Sequence, residues 1–301
     1  MAVLIAVAGS ICAAPCARAQ SIEPRAYSNI PVGVNFLIAG YAYTQGALEF
    51  APLPVSDPHF DSPTAILAYA RSLDIGGKSA KFDMSAPYSW LSGSARNDLS
   101  GQTVSRQISG FGDPAFRLSV NLMGAPALTP QQFASYRQDL IVGVSLQVTA
   151  PWSQYDGTRL VNLGTNRWSF KPELGISKAL DGWIVELMTA VTFYTTNTDF
   201  YNGRERATDP LYQAQAHVVR QFARGIWASG DVIYYTGGRT TLDGRLANDL
   251  EQNWRMGATL ALPINRRDSI KVYASDGVSS RTQNNFALFG IAWQHRWGAG
   301  L

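Results

Sequence analysis

Residues 167–177 read RWSFKPELGIS. In an extended chain successive side chains point to opposite faces, so Trp168, Phe170, Pro172, Leu174 and Ile176 share one face. Arg167, Ser169, Lys171, Glu173, Gly175 and Ser177 share the other. A strand that is apolar on one side for about ten residues and charged on the other matches a transmembrane β-strand, with lipid outside and a polar lumen inside. Placing Arg167, Lys171 or Glu173 on the lipid side is costly, roughly 2–4 kcal/mol for a cation at mid-bilayer, so these residues are expected to face inward. Pro172 removes one ladder hydrogen bond and is expected to mark a bulge or local distortion.

The same two-residue period recurs along the chain. In residues 140–149, Leu140, Val142, Val144, Leu146 and Val148 oppose Ile141, Gly143, Ser145, Gln147 and Thr149; in residues 113–122, Phe116, Leu118, Val120 and Leu122 oppose Arg117, Ser119 and Asn121. Residues 253–262 set Trp254, Met256, Ala258, Leu260 and Leu262 against Asn253, Arg255, Gly257 and Thr259. Shorter runs around Lys81 and Asp83, Trp183 to Phe193 with Glu186, and Ile270 to Tyr273 with Lys271 say the same. Segments near 35–44, 64–73, 213–223, 226–236 and 285–297 alternate less cleanly. About twelve strands of roughly seven to thirteen residues result, bracketing the length that crosses a bilayer at a tilt.

The connections carry a further signal. They run long (44–63), short (74–77), long (87–112), medium (123–138), long (151–165), short (180–182), long (195–212), short (223–225), long (237–251), short (263–268) and moderate (276–284). Apart from the medium one, long and short alternate, as an antiparallel up-and-down barrel with brief periplasmic turns and extended external loops requires. Trp168 and Trp254 then fall at the external rim, and Trp183 and Trp297 at the periplasmic rim, where amphipathic rings favour the interface. The competing arrangement, a secreted soluble lipid carrier, would turn the barrel inside out and put Leu140, Val144 and Leu174 in the lumen. Loop parity and the aromatic rims count against it.

Residues 2–14, AVLIAVAGSICAA, form an apolar segment too short to span a bilayer, and Ala17-Arg18-Ala19 offers a small-x-small cleavage pattern. The expected organisation is a signal peptide over residues 1–19 and a barrel domain over 20–301. Both cysteines, Cys12 and Cys16, lie in the signal, so the mature chain is expected to hold no disulfide and no thiolate nucleophile or metal ligand. The 301 residues are 46% hydrophobic and 16% charged with net charge +3. That is too polar for a helical membrane protein, and its scattered basic excess argues against a nucleic-acid partner.

Chemistry is hard to find. His59, His217 and His295 lie outside metal-ligand spacing of one another; Ser145 or Ser119 with His217 would be the only hydrolase pairing, and nothing singles it out. Asp156-Gly157, Asp181-Gly182, Asp243-Gly244 and Asp276-Gly277 are explained by tight turns more simply than by calcium. No glycine-rich phosphate loop opens a helix. No catalytic residue, metal or cofactor is expected, and the chain reads as a non-enzyme.

Residues 23–46 (EPRAYSNIPVGVNFLIAGYAYTQG), 110–128 (GFGDPAFRLSVNLMGAPAL) and 162–180 (NLGTNRWSFKPELGISKAL) resemble the outer-membrane proteins grouped as the MetA-pathway of phenol degradation family, transporter-like β-barrels. The resemblance covers nearly all of the mature chain. It implies an outer-membrane barrel associated with the metabolism of aromatic compounds, serving uptake, with membrane lipid and a small solute as partners.

The candidate functional residues are those on the inward faces: Lys81, Asp83, Arg117, Arg167, Lys171, Glu173, Glu186, Arg255, Lys271 and Arg296, with Asp231. Cations outnumber carboxylates, so an open lumen would prefer anionic or polarizable solutes, aromatic acids included. A barrel of about twelve strands lies near the boundary between plugged and open, and both remain open readings. In the medium connection, Thr129-Pro130 reads as an N-cap followed by proline at the first helical position, predicting a short helix near 129–136 that could cap the pore.

Overall fold

The structure, a computed structural model, describes residues 22–47, 55–97, 101–282 and 285–299. The expected signal peptide and its cleavage point lie outside the described residues.

Seventeen strands follow in order: β1 (Val34–Ala47), β2 (Val55–Ile75), β3 (Lys78–Asn97), β4 (Thr103–Phe111), β5 (Ala115–Met123), β6 (Leu140–Thr149), β7 (Ser169–Leu180), β8 (Trp183–Tyr194), β9 (Asn197–Phe200), β10 (Arg204–Thr208), β11 (Leu211–Gln221), β12 (Trp227–Gly237), β13 (Thr240–Leu242), β14 (Arg245–Leu246), β15 (Glu251–Pro263), β16 (Asp268–Ser280) and β17 (Asn285–Gly298). One sheet runs β2-β1-β17-β16-β15-β12-β11-β8-β7-β6-β5-β3-β4 and closes through β2–β3. Because β4 and β5 both pair with β3, one above the other, the wall is a closed antiparallel barrel of twelve strands. Closure leaves the bilayer-level backbone without an edge.

The opening stretch becomes β7, and its burial inverts that of a soluble protein. Lys171 and Glu173 are 3% and 5% exposed while Leu174 and Ile176 are 43% and 41% exposed. Pro172 is accommodated without the expected bulge: pairs Phe170↔Phe193 and Glu173↔Ala190 keep one register, and the β7–β8 ladder lapses only between them. Trp168, Trp183, Trp254 and Trp297 all stand exposed at strand ends.

Four expected loops prove to be structured. The described residues within 44–63 and 87–112 are largely strand, because β2 and β3 run on past the wall as a long ribbon that β4 joins. Between β4 and β5 the chain is broken at Gly112-Asp113-Pro114, and the buried carboxylate of Asp113 takes up the slack. It accepts hydrogen bonds from Ser153 Oγ (2.6 Å), Thr165 N (2.8 Å) and Thr165 Oγ1 (2.9 Å), tying the break to the 150–168 loop. Within 195–212 and 237–251, β9, β10, β13 and β14 form a second, four-stranded sheet at the long-loop end. Asp181-Gly182 and Asp243-Gly244 have positive φ at both residues, as tight hairpin turns demand. Asp276-Gly277, by contrast, lies inside β16 rather than in a connection.

The predicted helix is present and short. In α1 (Pro130–Phe133), Thr129 and Gln132 form a reciprocal capping box and Phe133 is buried. It follows residues 124–128, which hydrogen-bond to the β2–β3 turn (Ala127 N to Gly77 O, 2.9 Å).

Leu174→Lys would place an ammonium on the lipid face of β7. We predict a loss of about 2–4 kcal/mol in folding into a bilayer, measured by urea-dependent refolding into lipid vesicles, whereas Leu174→Ile should be nearly silent.

Candidate functional site

Residues 22–33, which precede β1, fold into the barrel and occupy the lumen. Gly33 sits at the short-turn end, where its N–H bonds Ser72 O (3.1 Å). Ile22 packs on Ile233 and Tyr235 and lies against Gly257, midway along β15, so the segment climbs to about mid-barrel. Its base is pinned to the connection after β5 by Val32 N to Leu128 O (2.9 Å) and Asn29 Nδ2 to Pro126 O (3.2 Å).

Three polar side chains of this strap meet the barrel wall. Glu23, 1% exposed, pairs with Arg117 on β5 and lies 3.8 Å from Lys171 Nζ on β7. Arg117 also holds Asp83 on β3 through a hydrogen bond from Nε (3.2 Å) and an ion-pair contact from Nη2 (3.2 Å). Lys171 reaches Glu173 at 3.9 Å, and Lys81 reaches Asp83 at 3.8 Å and Ala26 O at 3.5 Å. Arg25 holds positive φ (67°); its N–H donates to Glu186 (2.6 Å), and its guanidinium bonds Ser28 Oγ (3.1 Å) and lies 5.5 Å from the Trp227 ring. Tyr27 donates its hydroxyl to Glu173 Oε1 (3.0 Å), with Ser145 Oγ at 3.3 Å.

The Tyr27 ring fits because two residues facing it have no side chain. Gly143 and Gly175 are directly paired across β6 and β7, and a Cβ on either would come within 2.2 Å of ring atoms. Ala26, Ala125, Ile141 and Met188 complete a small apolar cluster around the ring. Across the lumen, Ile184, Val219, Trp227 and Ala261 form a second apolar floor.

The candidate residues separate by height. Lys81, Asp83, Arg117, Lys171, Glu173 and Glu186 meet at the strap. Arg255, 1% exposed, bonds Phe286 O (2.8 Å) and Ser275 Oγ (2.9 Å), bridging β15 to the neighbouring strands. Lys271 lies 5.7 Å from the Tyr273 ring. Arg296 points inward at the short-turn rim and donates to Arg266 O (2.7 Å). Arg167 is at the long-loop mouth, bonded to Thr208 and stacked 4.2 Å from the Tyr194 ring. In the same mouth, the hydroxyl and N–H of Thr158 hold the Asp156 carboxyl below the usual carboxylate range.

His217 is fully buried with Nδ1 2.8 Å from Asp231, while Ser145 is engaged by Tyr27 on a different wall. Among the described residues, no group of three His, Cys, Asp or Glu is placed to hold a metal. The site is therefore a charged constriction in which the strap's carboxylate is held by wall cations.

The charged wall residues were readable from alternation, but the strap's part was not. Glu23, Arg25 and Tyr27 precede the first strand and carry no periodicity. The one usable signal was the pair of inward glycines in two strands otherwise filled by larger residues.

The geometry defines a polar-lumen β-barrel, and comparison with known proteins supplies the family. Residues 51–294 match the family described as "Putative MetA-pathway of phenol degradation", and the chain belongs to it. Among solved structures, the COG4313 outer membrane channel from Pseudomonas putida F1 superposes with a TM-score of 0.77 at 18% identity, covering 92% of this chain and 100% of that one. The transport unit of the autotransporter AIDA-I from Escherichia coli gives 0.53 at 9% identity, covering 89% and 91%. The NanC porin gives 0.50 at 9% identity, covering 86% and 98%. At these identities the likeness shows a shared outer-membrane barrel fold. A comparison with curated proteins finds no match.

Arg117→Met would leave Glu23 and Asp83 with only their longer contacts to Lys171 and Lys81. Breaking a buried pair from one side costs about 3–5 kcal/mol, and we predict a loss of that size in urea unfolding. Adding Glu23→Gln should recover part of it, the signature of coupled neighbours.

Proposed function

We propose that this chain is an outer-membrane channel for small solutes, aromatic compounds or their acids among them, closed at rest by its own N-terminal strap. The observation that carries the reading is the contact of Glu23 with Arg117 and Lys171. An anionic group sits among the buried cations of the lumen, held by ion pairs and hydrogen bonds that can exchange. Family membership supports the link to aromatic metabolism, and the fold shared with a protein titled an outer membrane channel supports passage through the barrel. Export through removal of residues 1–19 would leave a mature chain whose N-terminus begins just before the strap.

The mechanism follows from charge and packing. The wall cations Arg117, Lys171 and Lys81 attract anions entering from either mouth. While Glu23 occupies them and Tyr27 covers Gly143 and Gly175, the path is blocked. Withdrawal of residues 22–29 would expose both the cations and the ring slot without altering the wall, because the closed sheet supplies its own backbone partners.

The test is planar-bilayer conductance of the refolded mature protein. The wild type should show rare, brief steps. Glu23→Gln combined with Tyr27→Ala should raise open probability about tenfold or more, as expected from weakening closure by at least 1.4 kcal/mol. Open steps should favour anions, and less so after Lys171→Gln. If neither protein conducts nor passes solute, the channel reading fails and a structural barrel replaces it.

A further inference from the structure

The strap presents a carboxylate and a phenol to the wall, and the wall's response to each is built in. Gly175, Glu173 and Lys171 are successive inward positions on β7, so the ring slot, a hydroxyl acceptor and an ammonium follow one another along one strand. On β6, Gly143 and Ser145 repeat the first two steps. The Tyr27 ring lies across both glycines with its hydroxyl directed at Ser145 and Glu173, toward the Lys171 level. Lys171 Nζ is buried, lies 3.8 Å and 3.9 Å from the carboxylates of Glu23 and Glu173, and has no hydrogen-bond partner. The site thus holds an ammonium short of an acceptor at the edge where the phenol oxygen ends.

We infer that the strap is an internal mimic of the channel's ligand, and that the site it fills takes an aromatic acid carrying a hydroxyl next to its carboxylate. The ring would replace Tyr27 over Gly143 and Gly175. Its hydroxyl would bond Glu173 and Ser145. Its carboxylate, on the same edge of the ring, would accept from Lys171 and pair with Arg117, displacing Glu23. A para isomer would direct its carboxylate away from Lys171 toward the apolar wall groups Ala125, Ile141 and Met188, where an unpaired anion is disfavoured. Ligand and strap then compete for one set of contacts, so the ligand opens the channel that admits it. This inference rests on the channel reading above.

Arg25 offers a readout independent of current. It is 8% exposed and precedes Ala26, so trypsin reaches the Arg25–Ala26 bond only when the strap has left. On the folded, refolded mature protein, 2-hydroxybenzoate should raise the rate of cleavage at Arg25 saturably by about tenfold, in line with a population shift of the strap. Benzoate should act more weakly, and 4-hydroxybenzoate and phenol should have little effect. Lys171→Gln should erase the preference for the 2-isomer. Gly143→Ala should expel Tyr27, exposing Arg25 without ligand and removing the response to 2-hydroxybenzoate.

Equal acceleration by the 2- and 4-isomers would overturn the ligand assignment. So would a strap that Glu23→Gln with Tyr27→Ala releases but no aromatic acid does; in that case the channel reading stands and mimicry falls. Rapid cleavage at Arg25 in the unliganded wild type would overturn closure itself.

Discussion

Arg117 is gripped from two sides by carboxylates that lie 60 residues apart in sequence, Glu23 from the strap and Asp83 from β3. A guanidinium this deeply buried is sustained only by compensating charge and hydrogen bonds. Around it, Lys171, Lys81 and Glu173 are tied into the same network, so the interior behaves as one electrostatic unit rather than as a row of separate lining residues. That unit fixes the strap's height in the lumen.

The wall and its contents are stabilised by different physics. Lipid-facing Leu174, Ile176 and Leu187 gain from apolar surroundings, and closure of the sheet satisfies the backbone whatever the lumen contains. The strap adds ion pairs, a slotted aromatic ring and a left-handed turn at Arg25, together with apolar contacts from Ile22, Ala26 and Ile30. The wall's backbone pairing is thus independent of the strap, while the strap's position depends on the wall's charges and on the slot that its glycines leave.

Beyond the membrane-crossing region, polar latches add to the burial of Leu163, Leu242 and Ala247 in holding the long-loop end. Asp113 knits a broken strand to the 150–168 loop, and Asp249 does similar work for β13 by accepting from Thr240 N (2.9 Å) and its hydroxyl (2.5 Å). Such buried, satisfied carboxylates help long loops acquire a single conformation.

Alternation along residues 167–177 and 140–149, with loop parity, was enough to specify an inside-out barrel of about twelve strands and the inward set from Lys81 to Arg255, because side-chain direction in a strand is a local property. Periodicity could not show that β2 and β3 outrun the membrane, since proline- and serine-rich strands look like loops, or that Pro172 would sit in register. Nor could it place Glu23 against Arg117 or Tyr27 against Gly143 and Gly175. Those contacts join an aperiodic dozen residues to strands up to 150 positions away, and their energy exists only once the closed wall has brought its charges and its missing side chains to the same place.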